Sequence, residues 1–273
     1  MTCVKQWAIR AICERARRLG TVDGEWLGKE VAGPEAAQPM ILFLHGGGYV
    51  RGSLALGRID ASELAELTGM PVFAVAYRQA PEHRFPAAID DAAEAYAGLL
   101  AQGFAGGRIV VVGDSAGGGM AFSLAMRARD RGWPMPAGLV AISPFVDRAF
   151  TGASFETNAG KDLITREMGE RMLALYVDAA DGADPMVSPV QGCLDGLPPS
   201  LLIAGQNELL LSSVEQLAER AAAAGVATTL HRYAGMPHGF TKFRTAAASE
   251  AMERAAAWIA ALGANRRLQP PGW

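Results

Sequence analysis

The sequence predicts an α/β fold, with a mostly parallel central sheet and helices on both faces. Three observations carry that expectation. Apolar strand-like runs alternate with helix-like stretches through most of the 273 residues, which is the pattern of repeated βαβ units. Several of those runs are apolar throughout instead of alternating, as strands covered on both faces should be. Length is the third: a chain of this size buries roughly three quarters of its unfolded surface. Residues 1–273 therefore read as one domain with a full core.

The elements follow in order. The first twenty residues, MTCVKQWAIRAICERARRLG, have scattered charges and no apolar h-region, so they read as an amphipathic helix and not as a signal peptide. MILFLH (40–45) is a continuous apolar run that leads into Gly46, Gly47 and Gly48. Residues 53–69 have helical spacing and end at Gly69. PVFAVAY (71–77) is a strand. Residues 86–103 open with Pro86, are rich in alanine and stop at Gly103, which reads as a helix. RIVVVG (108–113) is a short β-branched strand, with a helix over 117–132. GLVAISP (138–144), SLLIAG (200–205) and TTLHRY (228–233) are further strands, and helices fill 163–177, 212–224 and 246–262. The tail NRRLQPPGW is expected to be loose at its end.

Composition narrows the function classes. Half the residues are hydrophobic and 19% charged, with a net charge of −3. No basic run stands out, which argues against a nucleic-acid partner. The three cysteines, Cys3, Cys13 and Cys193, are widely spaced and form no CxxC. That argues against a disulfide framework and a zinc site. No stretch approaches the ~18 apolar residues of a membrane span. The expectation is a soluble cytoplasmic protein without metal or organic cofactor, with a homodimer as a candidate assembly.

The strongest local signal is GDSAG at 113–117, a G-x-S-x-G that follows a strand and opens a helix. That is the setting of a nucleophile elbow. Gly113 and Gly117 flank a turn too tight for side chains, and the helix N-terminus below Ser115 favours developing negative charge. The plainer reading is a glycine turn whose serine caps a helix. HGGGYV (45–50) follows a strand directly. Its bare backbone N–H groups can approach a substrate oxygen and hold a tetrahedral oxyanion; otherwise it is a flexible loop. Of four histidines, His45 sits in this loop and more naturally braces it, His83 lies in a proline-rich loop and His231 lies in a strand. His238, in GMPHGF after the last strand, stands where a general base would reach a serine above the sheet.

HGGGY, YRQAPEHRFPAAIDD (77–91), GDSAGGG and the terminal HGF, in that order, resemble the hormone-sensitive-lipase-like (family IV) branch of the α/β-hydrolases. The resemblance runs from about residue 40 to about residue 262. It implies a carboxylic ester hydrolase with Ser115 as nucleophile, His238 as base, and an oxyanion hole formed by Gly47, Gly48 and Ala116. Short- to medium-chain esters or lactones are the expected substrates, through an acyl-enzyme. A non-catalytic small-molecule binder on the same fold, or an amidase or peptidase using the same triad, is the alternative. Only 44 residues precede His45, so a reduced cap and an open cleft are expected, drawn from 1–30 and 147–189. Within the latter, Met168, Met172, Leu175 and Tyr176 share a helical face. That face suits a helix packed on the sheet, or a remaining lid that shapes an acyl pocket.

The triad acid is the ambiguous position. Where many relatives read a DPLRD-like segment, this chain reads GQNELLL (205–211). Adjacent side chains at a strand end point in roughly opposite directions, so Asn207 and Glu208 should not both face His238. Only a carboxylate fixes the histidine tautomer and stabilises the imidazolium. Glu208 is therefore the expected acid, with Asp184 or Asp195 as the alternatives.

Overall fold

The computed structural model describes residues 15–29, 39–178 and 184–266. Eight strands form one sheet: β1 (Arg15–Leu19), β2 (Val22–Leu27), β3 (Met40–Leu44), β4 (Val72–Val75), β5 (Ile109–Asp114), β6 (Gly138–Ile142), β7 (Ser200–Gly205) and β8 (Thr228–Tyr233). Their order is β1-β2-β4-β3-β5-β6-β7-β8. From β4 to β8 every neighbour pairs in parallel, while β2 runs against both β1 and β4.

The described residues form seven α-helices: α1 (Leu54–Thr68), α2 (Ala87–Ala101), α3 (Ala116–Asp130), α4 (Ser154–Thr157), α5 (Arg166–Tyr176), α6 (Leu211–Ala223) and α7 (Ala246–Arg266). The all-apolar strands divide their side chains between two cores. Met40, Leu42 and Leu44 of β3 join Ile109 and Val111 of β5 on one face, with α2, α3 and α6. Ile41 and Phe43 join Val110 and Val112 on the other, with α1 and α7. The alternation of a pleated strand thus explains why a continuous apolar run is needed: both faces are interior. Each fully buried aliphatic side chain there contributes about 1.5–3 kcal/mol.

The early chain departs from the sequence reading. Arg15–Leu19 is a strand hydrogen-bonded to β2, not part of an amphipathic helix. Pairing with a neighbouring strand satisfies a backbone that local pattern assigned to a helix. The rest of that proposed helix, Cys3 and Cys13 lie outside the described residues, as do 30–38, 179–183 and the tail from 267. β2 has no apolar run to mark it as a strand, because Asp23, Gly24 and Glu25 interrupt the pattern. Glu25 is nonetheless buried, and the Arg58 guanidinium of α1 grips both its oxygens at 2.6 Å. β1 is an edge strand and β2 lies between it and β4, so Arg15–Leu19 and Val22–Leu27 belong to the sheet.

α5 is the second correction. It does not pack on the sheet. Gly169, Met172 and Leu173 line a cavity above the sheet edge, Tyr176 is fully buried, and Met168 and Leu175 are exposed at 42% each. The supposed single apolar stripe is therefore split between cavity, core and solvent. His231 sits half-buried on the edge strand β8, and Cys193 is free and exposed.

Candidate active site

The site lies at the C-terminal ends of the parallel strands, where an open α/β sheet offers its crevice. β5 delivers Asp114 and then Ser115, which stands at φ 52°, ψ −117°, a conformation that non-glycine residues seldom hold. Backbone bonds pin it: the Ser115 N–H donates to the Ile142 carbonyl at 2.8 Å, and the Phe145 N–H donates to the Ser115 carbonyl at 2.9 Å. Gly117 abuts the Leu44 and His45 carbonyls so closely that a Cβ would collide with them, and a Cβ on Gly113 would collide with Gly117. Ser115 does not cap α3 with its side chain. Its hydroxyl lies 2.9 Å from Nε2 of His238 instead.

His238 arrives on the loop after β8, and Glu208 on the turn after β7. One Glu208 oxygen accepts from the Gly205 N–H and from the Ser143 hydroxyl, both at 2.6 Å. The other faces Nδ1 of His238 at 3.6 Å. That is ion-pair range, wider than a hydrogen bond, and neither atom has another hydrogen-bond partner among the described residues. Asn207 turns away, and its side-chain amide donates to the Gly235 carbonyl. Asp184 and Asp195 are engaged elsewhere, with the Met186 N–H and the Cys193 thiol. Burial opposes a charge on His238, but Glu208 overrides it, with Asp162 and Asp114 adding their fields. The imidazole is consequently held above its usual value of 6.5.

The glycine loop after β3 faces Ser115 across the cavity. Gly47 and Gly48 both have positive φ, at 121° and 62°, which glycine alone adopts freely. The N–H groups of Gly47, Gly48 and Ala116 make no hydrogen bond among the described residues. His45 is buried beneath the loop. Its Nδ1–H donates to the Gly46 carbonyl at 2.8 Å and its ring stacks on Tyr77 at 4.1 Å. Burial lowers its pKa, and its contacts with Gly46 and Tyr77 make it a brace for the loop. The 77–91 segment works the same way: Tyr77 donates to the His45 carbonyl, Gln79 bonds both backbone groups of Gly52, and Arg78 clamps Asp91. Tyr49 donates to the Ala116 carbonyl at 3.1 Å and stacks face to face on Tyr176 of α5, with ring centroids 4.0 Å apart.

Three participants escaped the sequence reading. Ser143, at φ 47°, steadies Glu208 as described. Asp114 ties the glycine loop down, accepting from the Gly46 N–H at 2.8 Å, while its other oxygen meets the Lys242 ammonium at 2.9 Å. Lys242 also binds Asp60, which is fully buried on α1. Burial alone would lower the lysine pKa, but Asp114 and Asp60 reverse this and hold it well above its usual 10.5. No local sequence pattern signals this cluster, because Asp60, Asp114 and Lys242 meet from three separate parts of the chain.

A cavity of about 380 Å³ opens over these groups. Gly47, Gly48, Ser115 and His238 occupy one part, and Phe145, Phe150, Phe155, Met172, Leu173 and Leu210 make the rest strongly apolar. An uncharged carbonyl compound with a hydrophobic arm fits such a space. Among the described residues no helix is long and apolar enough to cross a membrane.

Comparison with known proteins gives a consistent set of likenesses. The profile of a family described as "alpha/beta hydrolase fold" matches residues 41–242. The chain is 40% identical over 200 residues to an acetyl-hydrolase of Streptomyces hygroscopicus, covering 72% of this chain and 67% of that one. It is 36% identical to an esterase of Acinetobacter venetianus, covering 84% and 75%, and 36% identical to an ethyl acetate hydrolase of Pseudomonas putida, covering 77% and 68%. Among solved structures, an esterase from the bacterial hormone-sensitive lipase family superposes with a TM-score of 0.87 at 37% identity, covering 92% of this chain and 84% of that one.

Replacing Lys242 by Met leaves two buried carboxylates without their cation. It should lower stability by about 3–5 kcal/mol at neutral pH, measured by urea unfolding. A folded pKa raised above 10.5 means the lysine's contribution is complete below that pH. The wild-type advantage should therefore shrink as pH rises through the alkaline range.

Proposed function

The chain belongs to the α/β-hydrolase fold family and to its hormone-sensitive-lipase-like branch, and from that premise we propose a serine carboxylesterase in which Ser115, His238 and Glu208 act as the triad. The observation that carries the assignment is the 2.9 Å contact between the Ser115 hydroxyl and His238 Nε2 at a strained elbow beside bare glycine N–H groups. His238 Nε2 takes the serine proton as Oγ attacks the ester carbonyl. The carbonyl oxygen gains a negative charge, which the Gly47, Gly48 and Ala116 N–H groups receive. Glu208 keeps Nδ1 protonated and balances the imidazolium. The tetrahedral adduct collapses as the C–O bond breaks, and His238 Nε2 returns its proton to the departing alcohol. The same nitrogen then takes a proton from water as its oxygen attacks the acyl carbon, and returns that proton to Ser115 Oγ as the C–Oγ bond breaks and the acid leaves.

Substrate size follows from the cavity. A volume of about 380 Å³ with aromatic walls suits short to medium acyl chains. The acetyl-hydrolase and ethyl acetate hydrolase among the relatives support small acyl groups. The segment 147–189 is read as a reduced cap on the strength of α5. A cytoplasmic location is part of this reading.

A panel of p-nitrophenyl esters tests the proposal. Butyrate should be turned over with at least about tenfold higher kcat/KM than dodecanoate, and Ser115→Ala should be inactive yet folded. No turnover of any ester by the native protein would favour a binder. Glu208→Gln should lose about 10³–10⁴ in kcat, of the order reported for triad acids. Asn207→Ala should lose far less. Because His238 must be neutral to accept the proton, and its pKa lies above 6.5, the acidic limb of kcat/KM should have its midpoint above pH 6.5. A midpoint below that value counts against the Glu208 contact.

A further inference from the structure

The 3.6 Å between His238 Nδ1 and Glu208 raises a question of position. No short bond between the two side chains sets their distance, so it depends on how the two carrying loops are held. One carboxylate touches both. Asp162, in the segment before α5, accepts from the His238 N–H at 2.7 Å through Oδ1 and from the Leu209 N–H at 2.7 Å through Oδ2. Oδ1 also accepts from the Leu163 N–H at 2.7 Å. These are three short charge-assisted bonds to three separate stretches of backbone. One ends on the triad histidine itself and another on the residue adjoining Glu208.

The surrounding segment reinforces the grip. The Asn158 amide donates to the Gln206 and Glu208 carbonyls, both at 2.9 Å, and the Ser154 hydroxyl donates to the Leu209 carbonyl. The turn that carries Glu208 is thus bound from above by residues of the proposed cap as well as from below by β7. We infer that Asp162 is a positioning residue for the reaction, a clamp through which the cap segment sets the separation of His238 and Glu208. This rests on the reading of His238 and Glu208 as base and acid.

An amide cannot replace this group. Whichever way Asn is turned, its NH₂ meets at least one backbone N–H that needs an acceptor. A displacement of the order of an ångström at a catalytic pair costs up to about 10²-fold. Asp162→Asn should therefore lower kcat by about 10- to 100-fold and leave KM within about threefold. The charged groups around His238 are Glu208 from the β7 turn, Asp114 from β5, Asp162 from the cap, and the cations Lys242 and Arg51 of the cavity wall. Removing one negative neighbour disfavours the imidazolium, so the acidic limb should move to lower pH. Asp162→Glu keeps the charge and should restore the limb and part of kcat.

The test runs these variants beside Ser115→Ala on p-nitrophenyl butyrate, with circular dichroism as the check on folding. An inactive Ser115→Ala with an Asp162→Asn near wild-type kcat and an unmoved limb overturns the clamp and spares the catalytic reading. An active Ser115→Ala overturns the catalytic reading. Should Asp162→Asn fail to fold, amide hydrogen exchange of the native protein decides. The Leu163, Leu209 and His238 amides should have protection factors, each relative to its own intrinsic exchange rate, within about tenfold of one another, as one opening event requires. A wider spread overturns the clamp.

Discussion

The close approach of α3 to the end of β3 is the constraint on which the rest depends. Gly117 lies against the Leu44 and His45 carbonyls with no room for a side chain. This contact brings the first turn of one helix beside the loop of another strand, and so brings Ser115 beside Gly47 and Gly48. Two parallel strands that pair in register, Leu44 opposite Gly113, make the approach geometrically unavoidable once glycine permits it. The strain at Ser115, about 1–3 kcal/mol for such a conformation, is sustained because β6 and Phe145 bind its backbone on both sides.

Around that contact the charges are arranged unequally. Lys242 answers to two carboxylates, Asp60 and Asp114. Glu208 and Asp162 add negative charge near His238. A cationic imidazole is therefore welcome where an extra anion would not be, except in the pocket of unbonded N–H groups at the glycine loop. The site separates the two signs of charge that ester cleavage would create, and it does so with groups fixed before any substrate arrives.

Local pattern exposed much of this architecture. The apolar strands of β3, β5, β6 and β7 were legible because two-sided burial leaves no polar position. GDSAG, HGGG and HGF were legible because a tight turn or close approach restricts the residue type at consecutive positions. Charge alone distinguishes Glu208 from Asn207 in the sequence, because both lie on the turn after β7 and strand alternation does not reach them. What stayed hidden depends on partners distant in sequence. Glu25 reads as a surface residue until Arg58 is placed over it, and Arg15–Leu19 reads as helix until β2 lies beside it. Ser143, Asp162 and Lys242 carry no motif of their own, since each matters only through what another loop brings to it.

The stacked pair of Tyr49 and Tyr176 has a further consequence. One ring belongs to the glycine loop and the other closes α5, so the roof of the cleft and the loop beside Ser115 share a single joint. A substitution that moves one ring removes the stacking partner of the other. Phe150 extends the link, since its ring meets Phe145, whose N–H holds the Ser115 carbonyl, while Arg166 of α5 holds the Phe150 carbonyl.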